Sequence, residues 1–195
     1  MGVLYMEINI ESILSEIERA DDGALRNEMM KMNFEIDQEK FSFAFSAYGA
    51  IKRLSSLDDV IFAGGVAIPP SAIPAIKLRS VVLLKLYVAL VYMRSDILER
   101  GLDSAPEGSL LELYKKLYRS GCTKKGEDTL PQRIRNALCH DGLYFLMREN
   151  HIAVKFNDRQ VQFELPINIV DRLCNQIFRF YLIAYEVKNN SNVRV

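Results

Sequence analysis

Tryptophan is absent from this chain of 195 residues, histidine occurs twice and cysteine three times. Cys122, Cys139 and Cys174 cannot all pair with one another. None lies in a CxxC or a Cys/His cluster with metal-ligand spacing, so the sequence offers neither a disulfide framework nor a metal site. No cofactor motif replaces them, because Gly64 and Gly65 lack the Lys and Ser or Thr that complete a phosphate loop. A long apolar run is also missing. The most apolar region, Val81 to Met93, is broken by Lys85, which leaves eight uncharged residues from Leu86 to Met93, whereas a bilayer-spanning helix needs about 20. A membrane partner is therefore not expected. The amino terminus has no basic region followed by an apolar stretch, and Met6 stands where a myristoylation signal needs Ser or Thr. The setting these absences imply is a reducing cytoplasm.

There is no excess charge of either sign, since 25 basic residues balance 25 acidic ones, and this argues against a general nucleic-acid binder. The charges are nevertheless segregated. From Glu7 to Glu39 the net is −7, and from Lys115 to His140 it is +5. Solvated helix faces explain such blocks as readily as a local field that attracts phosphate does. With 49% apolar residues the chain can bury one ordinary core, so residues 1–195 are expected to form a single domain.

Helical spacing dominates the pattern. Ile10, Ile13, Leu14 and Ile17 mark a first amphipathic helix that the Asp-Asp-Gly at 21–23 should end. A second helix is expected from about Glu39 to Ser55. The Gly/Pro-rich stretch 62–74 reads as a loop, dividing an amino-terminal helical part, 1–62, from a larger bundle, 74–195. Pro74 suits the first turn of a long central helix running to Arg100 and stopping at Gly101. Ser109 and Glu112 form a capping-box pattern for a helix ending at Gly121. Thr129 and Pro131 open another helix, which should stop near Gly142. The period then changes to two: Ile152, Val154 and Phe156, then Val161, Phe163 and Leu165, read as a β-hairpin turning at residues 157–160. A closing helix follows from about Ile167 to Val187. The expected class is mainly α, a helical bundle with a small β-hairpin before its last helix.

Within the penultimate helix lies the sequence RNALCH, Arg135 to His140. On a wheel centred on Ile134, Leu130, Leu138 and Ala137 make an apolar stripe, and Arg135, Asn136, His140 and Arg133 fall on the other side. Arg135 and His140 are about 140° apart on that wheel, a spacing that lets them flank one cleft. Histidine exchanges a proton near neutrality, a guanidinium holds phosphate through paired donors, and an asparagine can orient either. Attack of a ribose 2′-hydroxyl on the adjacent phosphate needs those groups, and DNA lacks that hydroxyl. Cys139 is disfavoured as a nucleophile because a helix C-terminus opposes a thiolate. His151 reads as a surface turn residue, and Tyr87, Tyr92, Tyr114 and Tyr118 as packing residues.

The run IRNALCHDG resembles the signature of the HEPN superfamily, in which an Arg is followed by a polar residue and then, after four to six intervening residues, by a His. Arg135, Asn136 and His140 match it. The resemblance implies a HEPN-like helical bundle and a metal-independent endoribonuclease acting as a homodimer, with both motif helices facing one RNA-binding cleft. It further implies a toxin–antitoxin or phage-defence setting, with an antitoxin or regulatory protein as a further partner. Some members are inactive and serve as binding modules for RNA, nucleotide or protein. On this reading Arg135, Asn136 and His140 are the catalytic set, and Arg133, Lys124 and Lys125 contact substrate. One feature departs from a toxin subset that carries a tyrosine two residues after the histidine. Gly142 stands there, and Tyr144 follows two residues later.

Overall fold

The computed structural model describes residues 4–32, 34–56, 73–93, 101–124, 126–159 and 161–192. It is mainly helical, at 61%. Strand β1 (Leu4–Tyr5) leads into helices α1 (Glu11–Arg19), α2 (Asp22–Met29), α3 (Gln38–Ser56) and α4 (Ile73–Leu86). Helix α4 continues into a π-helical stretch, Tyr87–Tyr92, and is followed by α5 (Leu110–Tyr118) and α6 (Leu130–Cys139). Strands β2 (Leu143–Met147), β3 (Ile152–Asp158) and β4 (Val161–Pro166) precede the closing helix α7 (Ile167–Asn192). Among the described residues no helix is long and apolar enough to cross a membrane.

The expected helices are present, with two differences. The Asp-Asp-Gly at 21–23 does end α1, but it also begins α2, because the Asp21 side chain accepts from the Ala24 amide and so caps a second helix. The expected hairpin is β3–β4, with Phe156 opposite Phe163 and Val154 opposite Leu165. It forms the middle of a four-stranded sheet of order β1-β4-β3-β2, in which β1 runs parallel to β4 and β2 antiparallel to β3. Strand β2 is short and its burial only partial, so its sequence carries no alternation strong enough to announce it. The loop expected at 62–74 lies largely outside the described residues; the helix expected to reach Arg100 is described as far as Met93, and residues 94–100 lie outside them.

Helix α7 is the axis of the core. Val170, Leu173, Ile177 and Phe180 are fully buried along it, and they pack with Leu14 and Ile17 of α1, Leu25 of α2, Tyr114 and Leu117 of α5, and Phe163 of β4 in one cluster. The acidic block of the amino terminus has a structural use here. Arg172 of α7 donates from Nε and Nη2 to Glu18 at 2.8 Å each. Arg179 reaches Asp22 at 2.6 Å and the carbonyls of Ile17 and Ala20 at 2.7 and 2.6 Å, which satisfies the open end of α1. Arg26 pairs with Glu186 at 2.6 Å. Both carboxylate oxygens of Glu28 accept amides from the first turn of α5, Leu110 and Leu111, where the helix dipole favours an anion.

Lys85, which interrupts the apolar run, is 5% exposed. Its ammonium donates to Asp171 Oδ1 at 2.6 Å and to Asn175 Oδ1 at 3.2 Å. The Tyr48 hydroxyl also donates to Asn175 Oδ1, and the Tyr48 ring stacks on Phe178. This network locks α3 and α4 to α7. Removing Lys85 leaves the partly exposed Asp171 and Asn175 without their donor, which costs about 1–3 kcal/mol. Lys85→Met should therefore lower the melting temperature, and adding Asp171→Leu should recover most of the loss. Thermal denaturation of the two variants checks this.

Candidate functional site

Helix α6 begins with a reciprocal cap. Thr129 accepts from the Gln132 amide, and the Gln132 side chain accepts from the Thr129 amide, with Pro131 in the first turn. Leu130, Ile134 and Ala137 are fully buried, so the apolar stripe faces the core and fixes which way the remaining residues point. The other end is more unusual. His140 is the C-cap, its amide bonding to Asn136 O. Asp141 takes the left-handed conformation with φ of 53°, a position usually given to glycine. The Gly142 amide then reaches back to Ala137 O at 2.8 Å, closing a Schellman turn.

Gly142 is needed for a different reason. A Cβ there would run into the Asn157 carbonyl oxygen and crowd the Ala137 backbone, and the Gly142 carbonyl accepts from the Asn157 amide at 2.7 Å. The end of α6 is thus clamped onto the end of β3. A tyrosine at position 142 would be incompatible with this contact. Tyr144 instead lies exposed on β2.

This clamp creates a surface depression of about 500 Å³. Asn136 and His140 enter it from α6, Tyr144 from β2, Asp158 from the end of β3 and Arg159 from the β3–β4 turn. His140 is exposed, and Arg159 is exposed with φ of 50°. Asp158 is different, being only 4% exposed, with an Oδ1 that has no hydrogen-bond partner. Burial pushes its carboxyl above the usual range, while the nearby Asn136 side chain partly opposes the rise. Asp128 raises it further, and the guanidinium groups of Arg133 and Arg159 lower it.

The sequence-predicted residues are thereby sorted. Asn136 and His140 share the depression, whereas Arg135, half-exposed on α6, does not line it. Arg133, expected to contact substrate, is turned inward instead of lining the depression. It is 7% exposed, its Nε donates to Asp128 O at 2.9 Å and its Nη2 lies 3.9 Å from Glu127, so it holds the loop before α6. The helical wheel put it on the polar side without knowing that this loop folds over it. Lys124 is exposed and away from the depression, and Lys125 lies outside the described residues. Much of the basic block is used internally as well. Lys115 donates to Asp103 O, Arg119 donates to Lys124 O, and Lys116 pairs with Glu112. His151 is an exposed residue beside β3, as expected of a turn histidine. Tyr114 and Tyr118 are buried packing residues, but Tyr87 and Tyr92 are exposed.

Asp158, Arg159 and Tyr144 were not legible as site residues from the sequence. The one signal was an Asp-Arg pair in a hairpin turn, and ordinary turn chemistry explains that equally well. Among the described residues no group of three or more His, Cys, Asp and Glu side chains could hold a metal. Comparison with known protein families, with curated proteins and with solved structures found no match.

Asp158 makes a stability prediction whose sign is the reverse of the usual carboxylate. Its folded pKa lies above the ordinary value of 3.8, so the folded state binds more protons than the unfolded chain between those two values. The native state is penalised above the folded pKa, and the penalty disappears as pH falls through it toward 3.8. Asp158→Asn should melt at or above wild type at pH 7, with the difference closing on acidification. Thermal melts across that pH range measure it.

Proposed function

We propose that this protein is an endoribonuclease of HEPN type, which cleaves RNA by attack of the ribose 2′-hydroxyl on the neighbouring phosphate. The observation that carries the reading is the presence of His140 and Asn136 of the RNALCH run in one depression beside the Arg159 guanidinium and the Tyr144 ring. His140, exposed at the helix end, is placed to exchange a proton with substrate. Arg159 offers phosphate a charged, forked donor, and Tyr144 offers a base a stacking face. Asn136 orients substrate or imidazole.

Arg135 enters differently. Because it does not line its own subunit's depression, its role as phosphate clamp calls for a second subunit, in keeping with the homodimer that the HEPN resemblance implies. A toxin–antitoxin or phage-defence setting, and a regulatory protein partner, rest on that resemblance alone. The placement of Arg135 and the internal use of much of the basic block also favour a second reading, a HEPN dimer that binds RNA, nucleotide or protein without cutting it.

The two readings separate in one assay. The nuclease reading expects purified protein to cut single-stranded RNA, and His140→Ala to slow the cut by about 10²- to 10⁴-fold, the usual contribution of a positioned acid or base. Equal cutting by wild type and variant would remove His140 from the mechanism. Binding without cutting by wild type would select the second reading.

A further inference from the structure

The depression contains a carboxyl that the proposed chemistry leaves unassigned. Asp158, at the end of β3, lines it together with His140, yet is only 4% exposed. Its Oδ1 accepts from no donor, and a buried acceptor without a partner is costly and rare in a folded protein. A general base needs that very condition, a lone pair that no resident donor occupies. The chemistry also leaves a proton transfer unassigned. Attack by the ribose 2′-hydroxyl releases one proton, and the departing 5′ oxygen takes up another. The two oxygens lie roughly in line on opposite sides of phosphorus, so one imidazole does not reach both at once. Besides His140, the depression offers the proton-exchanging side chains of Asp141, Tyr144 and Asp158. Asp141 and Tyr144 are exposed, where water competes for their oxygens, whereas Asp158 is held out of it.

We propose that Asp158 is the general base of this site and takes the proton of the ribose 2′-hydroxyl, while His140 is the general acid that protonates the 5′ oxygen. The inference rests on the ribonuclease reading and deepens it. In the step, the 2′ O–H bond breaks toward the Asp158 carboxylate as the 2′ oxygen bonds to phosphorus. The bond from phosphorus to the 5′ oxygen breaks, and its electron pair takes the proton of the His140 imidazolium. A 2′,3′-cyclic phosphate and a 5′-hydroxyl result, and exchange with water then removes the proton from Asp158 and restores the one on His140. The charged and titratable groups around Asp158 are Asp128 before α6 and Arg133 near its start, His140 and Asp141 at its end, Tyr144 on β2 and Arg159 on the turn. Burial raises the Asp158 carboxyl above 3.8, Asp128 adds to the rise, and the Asn136 side chain, Arg133 and Arg159 oppose it. A carboxylate raised in this way is a stronger base than an exposed one.

The test uses the full chain with two substrates, a short single-stranded RNA and the same strand with sulfur in place of the bridging 5′ oxygen at the cleaved position. A thiolate leaves without being protonated, so the sulfur substrate needs a base but no acid. On the oxygen substrate, Asp158→Asn and His140→Ala should each slow cleavage by about 10²- to 10⁴-fold. On the sulfur substrate His140→Ala should recover most of its loss, while Asp158→Asn keeps its own. Recovery by Asp158→Asn overturns the assignment, and so does recovery by neither variant, the result expected if His140 serves both transfers. Cleavage of the oxygen substrate by Asp158→Asn at the wild-type rate also overturns it and leaves the ribonuclease reading standing. The pH profile is a second readout. The wild-type rate should fall as pH drops through the Asp158 titration, above 3.8, and the residual rate of Asp158→Asn should not; a retained fall contradicts the base role. Asp158→Asn keeps the shape of the side chain and removes its buried charge, so its fold is preserved, which a melt at pH 7 verifies. A wild type that leaves both substrates intact removes the ribonuclease reading and this assignment with it.

Discussion

The candidate site depends on how one helix stops. Helix α6 ends in a Schellman turn, with Asp141 left-handed and Gly142 returning its amide to Ala137. The next carbonyl is taken by Asn157 at 2.7 Å. These contacts fasten the carboxyl end of the helix to the end of β3, and so bring residues 136 and 140 next to residues 158 and 159. A helix ending one turn earlier or later would leave His140 without the surroundings it has. The left-handed Asp141 has a modest cost, which the two backbone hydrogen bonds offset.

The rest of the molecule keeps that junction in place. The apolar stripe of α6 is sealed into the core, its first turn is closed by Thr129 and Gln132, and Arg133 anchors the loop before it. Helix α7 packs behind the sheet and is tied to α1 and α2 by Arg172 and Arg179, which pair with Glu18 and Asp22, and by Glu186, which pairs with Arg26. A chain of zero formal charge thus uses part of its segregated blocks in internal couplings. What remains open to solvent around His140 is a small, mixed-charge depression. Such a surface fits recognition of one phosphodiester better than tracking along a polyanion.

Much of this was legible in the sequence. Ser109 and Thr129 announce their helices through side-chain caps, and Phe156 and Phe163 announce the hairpin through their alternation. His140 and Asn136 stood out as candidates through a conjunction: an Asn directly after Arg135, an outward polar helix face and a helix stop just past the histidine. Other features were hidden for physical reasons. Strand β2 is short and half-buried, so it lacks a clean period, and the parallel pairing of β1 with Val161 and Gln162 joins residues far apart in the chain. Arg133 and Arg135 look equivalent on a helical wheel, yet one is covered by a loop and the other is not. Asp158 resembles any turn aspartate until the fold buries it against Asn136.

The central claim is that a ribose hydroxyl, guided by groups at the end of α6, attacks its own phosphate. It is tested most directly with a short single-stranded RNA, cut in the presence of a metal chelator, and with the same strand carrying one 2′-deoxy sugar at the cleaved position. The account predicts cleavage of the first to a 2′,3′-cyclic phosphate and a 5′-hydroxyl, and no cleavage of the second at that position. Cutting of the deoxy-substituted position, or an RNA left intact, would contradict it.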